Sequence, residues 1–343
     1  MIALNRNTGG AASDSYVRLP LSAFRVDLVS KADLYYEPTA EELQDAQAAT
    51  ASGSPRRPKM RLYRAADYPV TKEDIQRLID RGHKALYVSA VDHAAVGKQL
   101  FDNLEDLIKD ESRPPVERFG VMQAAVALEV DVAFRLIKPS RFVSLSTQIA
   151  DHITTLMGDS DLVPQSLFDV VQHDYYTFTH VTNSAGYAVL LAEKLGVSDP
   201  GVRKRIAAGA LLHDIGKRFI PTKILCKPGR LTPEERELIE LHPQAGYLDL
   251  KNNSELDQAQ LMMVYQHHER LDGTGYPVKV LGDEIHDWAR MLAVVDVFDA
   301  LTSDRPYRKP MPIAEAIEFL NYYAGRHYDP EMVRCWTYAL ENR

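Results

Sequence analysis

Cysteine is nearly absent, with Cys226 and Cys335 the only two in 343 residues. They make no disulfide framework, so the fold must close on its own core, and they suit a reducing compartment. Long hydrophobic runs are missing too. No stretch approaches the roughly 18 uninterrupted apolar residues of a membrane-spanning helix. The opening residues, MIALNRNTGGAASDS, lack the apolar run of a signal peptide, and the expectation is a soluble, cytoplasmic protein. Nor is there an excess of positive charge: 40 Lys and Arg stand against 48 Asp and Glu, a net of −8. That balance argues against duplex nucleic acid as a partner, which calls for a basic face. It leaves anionic small ligands open, because a few local cations override the global sign.

What is present is ordinary globular material, 45% hydrophobic and 26% charged, long enough for one large core or two. Residues 1–97 read as a small α+β module. Its strand-like runs are VDLVS at 26–30, RLYRA at 61–65 and ALYVSA at 85–90. Between the last two, TKEDIQRLIDRG carries Thr71 and Asp74 at capping-box spacing and stops at Gly82, which predicts a short helix. Residues 44–60 are rich in Ala, Ser, Pro and Arg and read as an excursion. Helical periodicity over 98–110, 113–137 and 140–157 predicts a helical connector at 98–160. From 161 to 343 the pattern is all-helical. Thr232, Pro233 and Glu235 mark one helix start, and Asp199-Pro200 marks the start of the helix carrying AAGALLHDIGK.

The chemistry sits in histidines and acids. HHERLDGTGYP at 267–277 begins like the zinc-protease pattern H-E-x-x-H, but Asp272 stands where its last histidine belongs. His267 and His268 therefore need metal partners from elsewhere. His213 and Asp214 are adjacent beside an apolar face of Ile206, Ala210, Leu211 and Ile215. A carboxylate has two oxygens and can bridge two cations, which imidazole cannot. Asp296 lies in the apolar run around Met291, Leu292, Val294, Val295 and Phe298, where a carboxylate is costly unless paired or metal-bound. His180 lies in another apolar helix, and His242 precedes Pro243. Seven N/O ligands are too many for one tetrahedral zinc and suit two cations sharing Asp214. His83, His93, His152, His173, His286 and His327 read instead as ordinary structural histidines.

His180, HDIGK at 213–217, His242-Pro243, HHERLDGTGYP and DVFDALTSDRPYR at 296–308, in that order, resemble the HD-GYP family of HD-superfamily phosphohydrolases. The resemblance covers about 165–343 and implies a mainly α protein, an HD-type helical bundle preceded by the small α+β domain and the connector. It implies hydrolysis of cyclic di-GMP to pGpG, and onward to GMP in some members, at a centre of iron or manganese ions. By family position His180, His213, Asp214 and Asp296 hold one metal. Asp214 bridges to the second, held also by His242, His267 and His268. Lys217, Tyr276, Arg305 and Arg308 match positions that contact the dinucleotide. Three-metal members place a Glu where this chain has Tyr176, a poorer ligand at neutral pH, so two metals are expected.

Two cations about 3.5–4 Å apart supply a hydroxide nucleophile and neutralise phosphate charge. Asp214 and Lys217 are the candidate catalytic residues, with Lys217 one helical turn beyond His213 and aimed at the same phosphate. Arg305 and Arg308 suit a bidentate grip on the second phosphate. The glycines at 273 and 275 let the backbone turn beside the doublet, and Tyr276 offers a ring or a hydroxyl to the ligand. Competing readings are a phosphodiesterase for another cyclic dinucleotide and a catalytically silent sensor or scaffold. For the N-terminal module four roles stand open: sensing a signal, forming a homodimer, docking a diguanylate cyclase or other signalling protein, or only packing on the bundle.

Overall fold

Thr71 accepts a hydrogen bond from the Asp74 amide at 3.2 Å while Asp74 accepts one from the Thr71 amide at 3.0 Å, so the capping box closes as expected. Helix α1 (Lys72–Asp80) follows from it and ends before Gly82, whose φ is +81°. It belongs to a computed structural model of the chain that describes residues 16–21, 32–39, 42, 60–83, 85–89, 92, 96, 104–110, 118–120, 122–123, 139–157, 177–225, 227, 229–303 and 309–341. Two compact units divide the chain, residues 1–129 and 130–343, and the division falls within the stretch expected as a connector.

The first unit is built on a four-stranded antiparallel sheet, ordered β1-β4-β2-β3, of β1 (Tyr16–Pro20), β2 (Leu34–Tyr36), β3 (Arg61–Arg64) and β4 (Ala85–Ser89). The expected strands at 61–65 and 85–90 are there, and the expected strand at 26–30 lies outside the described residues. β1 and β2 were not anticipated. Their runs, YVRLP and LYY, are short and carry a proline and no clear alternation, so only the pairing Val17↔Val88 and Leu34↔Val88 defines them. Pro20 is tolerated because β1 is an edge strand. Leu19, Leu34, Leu78, Leu86 and Val88 are buried. The short helix α2 (Leu104–Ile108) falls within the helical pattern at 98–110.

The second unit is helical: α3 (Pro139–Met157), α4 (Thr177–Lys194), α5 (Pro200–Leu212), α6 (Thr222–Leu225), α7 (Pro233–Glu240), α8 (His242–Leu250), α9 (Gln258–Gln266), α10 (Asp287–Thr302), α11 (Ile313–Tyr323) and α12 (Pro330–Glu341). Helix α3, expected as part of a connector, packs on α4 and α5 inside this unit. Helix α5 starts at the Asp199 cap with Pro200 in its first turn, and α7 at the Thr232–Glu235 capping box. Residues 206–212 of α5 are buried on every side, the mark of a helix running through a core. Phe298 meets Tyr187 and Trp336 edge to face at 5.8 and 5.2 Å, Tyr187 and Trp336 meet tilted at 5.3 Å, and the three tie α4, α10 and α12 together. Among the described residues, no helix is long and apolar enough to cross a membrane.

Candidate metal centre

The helix carrying HDIGK ends one residue earlier than its first candidate ligand, His213, which corrects the picture of one continuous helix. α5 stops at Leu212, His213 keeps helical angles, and Asp214 (φ −94°, ψ 5°) leads into a 3-10 turn over Ile215–Phe219. Because α5 is buried on all sides, its end delivers both residues into the interior. Gly216 then allows a close approach. A Cβ there would lie 1.9 Å from the His242 carbonyl oxygen and 2.6 Å from the Gly246 amide nitrogen. Without it, the turn seats against the start of α8 and brings His242 beside Asp214.

The two oxygens of Asp214 face different partners. Oδ1 lies 3.2 Å from His242 Nε2 and 4.0 Å from His267 Nε2. Oδ2 lies 3.4 Å from His213 Nε2 and 3.8 Å from His180 Nε2, and Lys217 Nζ approaches it at 2.5 Å. Asp296, from the middle of α10, sets Oδ1 2.9 Å from His180 Nε2 and 3.8 Å from His213 Nε2, with Oδ2 4.0 Å from His268 Nδ1. Three overlapping groups have ligand atoms within 4.8 Å of one another: His180/His213/Asp296, His242/His267/His268, and His213/Asp214/His267. All seven candidate ligands thus converge from α4, the α5 terminus, α8, the α9 terminus and α10. His268 is the most open, with 24% of its side chain exposed.

Ring orientation follows from the backbone. Nδ1 of His213, His242 and His267 lies 2.6, 2.8 and 3.0 Å from the carbonyls of Ala210, Ile239 and Val264. A carbonyl only accepts, so each Nδ1 carries the proton and each Nε2 turns its lone pair inward. His213 Nε2 and Asp214 Oδ1 are nevertheless buried with no hydrogen-bond partner. Orphaning such atoms costs about 1–3 kcal/mol each unless something satisfies them. A cation fits both.

Burial, with the neighbouring imidazoles, holds His267 well below its ordinary value and His268 down to about 3, so both stay neutral at neutral pH. Burial opposes ionisation of Asp214 and Asp296 as well, yet the Lys217 ammonium beside the former and the His180 hydrogen bond to the latter hold both well below the carboxylate range. Neutral imidazoles around ionised carboxylates are the protonation states of a cation site. His180 moves the other way. Burial works against its charge, and hydrogen bonds to Asp296 and Asp299 outweigh it, so a proton is held where a cation could bind.

The GYP loop borders this cluster. The Tyr276 ring lies 4.7 Å from His268 and 6.4 Å from His242, and its amide donates to the His268 carbonyl at 3.2 Å. Gly273 turns with φ +71°, as expected, whereas Gly275 is needed for proximity: a Cβ there would lie 2.5 Å from the Glu269 Cα. Buried Glu269 holds the loop, accepting from the amides of Val278 (2.7 Å) and Lys279 (3.0 Å). Burial pushes the half-buried Tyr276 phenol well up, so it stays protonated.

Arg305, Arg308 and Tyr176 lie outside the described residues, as do His93 and His173. Of the other histidines, His83 sits edge-on to Tyr36, His286 caps α10 through Nδ1, and His327 stacks on Tyr323 at 4.4 Å. Sequence reasoning missed Asp299, fully buried and 2.6 Å from His180 Nδ1, as well as the roles of Glu269 and Gly216. The signal for Asp299 was its position three residues after Asp296, on the same side of an apolar helix.

A family profile described as an HD domain matches residues 149–332. The chain is 35% identical over 290 residues to a cyclic di-GMP phosphodiesterase of Pseudomonas aeruginosa, covering 79% of this chain and 68% of that protein. It is 40% identical over 165 residues to a 3′3′-cGAMP-specific phosphodiesterase of Vibrio cholerae, covering 48% of this chain and 35% of that protein. The matches thus span about two thirds or less of these relatives' lengths. A solved HDG"Y"P protein of Bdellovibrio bacteriovorus shares the fold at a TM-score of 0.65 and 20% identity, covering 95% of this chain and 100% of that one.

Proposed function

This chain belongs to the HD-domain family, and on that premise we propose that it is a metal-dependent phosphodiesterase that opens cyclic di-GMP to linear pGpG. The observation that carries the reading is the division of Asp214, one oxygen toward His242 and His267, the other toward His180 and His213, with orphaned buried atoms between. His180, His213, Asp296 and Oδ2 of Asp214 would hold one divalent ion; Oδ1 with His242, His267 and His268 would hold the other. We assign iron or manganese to both, and two ions rather than three because Tyr176 offers a phenol. When bound, such ions supply a nucleophile at neutral pH and neutralise charge on the phosphate oxygens.

The side chains do the rest. Hydrolysis adds water to phosphorus, breaks the P–O3′ bond and leaves the 3′-oxygen needing a proton. The Lys217 ammonium, beside the shared carboxylate, draws a phosphate oxygen toward the centre and is the donor we assign. Tyr276 offers its ring as a stacking face to a base, worth about 1–3 kcal/mol. Arg305 and Arg308 would grip the second phosphate. We assign catalysis to residues 161–343 and a regulatory role to residues 1–97.

Metal ligands recognise phosphate and not base, and the likeness to a cGAMP-specific enzyme favours a second reading in which a hybrid dinucleotide is the substrate. Protein loaded anaerobically with iron or manganese should convert cyclic di-GMP to pGpG or GMP, resolved by chromatography, and Asp214→Ala should abolish it. Faster turnover of 3′3′-cGAMP in parallel would shift the assignment to that substrate. Retention of metal and cyclic di-GMP without turnover of either dinucleotide would overturn the enzymatic reading in favour of a sensor.

A further inference from the structure

We propose that Asp299 is a positioning residue that makes the two metal positions unequal, so that the one built on His180 fills first and holds its ion more tightly. The inference rests on the two-metal reading above and goes beyond it in ranking the positions. Four imidazoles have a defined partner behind them, and three of those partners are neutral backbone carbonyls. His180 alone among the four has a carboxylate there, with Nδ1 2.6 Å from Asp299 Oδ2.

Asp299 is fully buried, and its other oxygen accepts from Asn183 Nδ2 at 2.9 Å and Ser303 Oγ at 3.0 Å. Three donors, His180 and Asn183 from α4 and Ser303 at the C-cap of α10, therefore fix a carboxylate that would otherwise be costly to bury. Fixed there, it holds a proton on His180 Nδ1 and turns Nε2 toward the space it shares with Asp296, where a cation would take the place of the proton between them and meet a more basic nitrogen.

Charge then separates the positions. Around His180 and His213 lie Asp296, one oxygen of Asp214 and, one bond farther out, Asp299. Among the described residues, the carboxylate oxygens within 4 Å of His242, His267 and His268 are Oδ1 of Asp214 and, at the edge of that range, Oδ2 of Asp296. Lys217 offsets part of the shared Asp214 charge. Asp296 and Asp299 remain as the first position's surplus, and a divalent cation prefers it.

The test is an equilibrium Mn(II) titration of the chelator-treated full chain, reading free Mn(II) by its EPR signal, beside thermal melts of the metal-free protein. The wild type should bind two ions, the first at least about tenfold more tightly, since partners behind a ligand typically govern 10–100-fold in affinity. Asp299→Asn should weaken the first step by about that factor and leave the second and the metal-free melt in place. His268→Ala should remove the second step and leave the first. If Asp299→Asn does not fold, Asn183→Ala, which frees one side of the carboxylate, should weaken the first step several-fold. Equal steps in the wild type, or an unchanged first step in whichever variant folds, would overturn the proposal. A wild type that binds no Mn(II) or other divalent ion overturns the two-metal reading itself, a result distinct from either.

Discussion

Gly216→Ala is the smallest change that should open the candidate centre. A methyl group on this residue would point at backbone, the His242 carbonyl oxygen at 1.9 Å and the Gly246 amide nitrogen at 2.6 Å. Carbon–oxygen contacts settle at about 3.3 Å or more, so the 3-10 turn and α8 must separate by roughly 1.4 Å. Neither side can rotate away, because both are main chain in ordered turns. Overpacking of this kind costs about 1–3 kcal/mol, which for a unit of this length lowers the melting midpoint by roughly 2–12 °C. The separation also falls between Asp214 and His242, now 3.2 Å apart, and a misplacement of about 1 Å at a reacting centre can cost 100-fold in rate. Calorimetry, bound-metal counts and turnover on one preparation test it. A variant that melts with the wild type and keeps full metal content and rate would refute the interlock.

Glu269→Ala should leave the two Mn(II) steps intact while raising KM, because it orphans the Val278 and Lys279 amides that hold the Tyr276 loop, bonds to a charged acceptor worth about 1.5–3 kcal/mol. Glu269→Gln, which keeps one acceptor, should fall between, and an unchanged KM in Glu269→Ala would remove the loop-holding role. In the first unit, the Thr71 amide, with Arg64 and Arg77 at 2.8 Å, holds Asp74 below the carboxylate range against its burial. A depressed folded pKa stabilises above the unfolded value and loses that stability as pH falls through the folded one. Asp74→Asn should therefore be less stable than wild type at neutral pH, with the gap closing below about pH 4. Hydrogen exchange over residues 61–89 reads it, and a gap that persists to about pH 2 would contradict the assignment.

How much was legible depended on whether a signal was local. The capping boxes at Thr71 and Thr232 and the Asp199-Pro200 start are short-range codes, and each appears where its spacing put it. The seven candidate ligands stood out for a related reason: carboxylates and paired histidines in apolar helical runs need a partner to be buried, so the sequence itself marks them as unusual. Strands β1 and β2 were not legible, because three to five residues without alternation acquire a register only from the strands beside them.

Composition and motif order determined the mainly helical class and which residues stand as candidate ligands, since residue chemistry and spacing are properties of the chain alone. Tertiary structure decided which oxygen of Asp214 faces which imidazole, that Gly216 is required by the His242 carbonyl, and that Asp299 stands behind His180 from 119 residues away. Those are distances between helices far apart in sequence. They exist only once burial of the apolar faces has fixed how α4, α5, α8 and α10 pack.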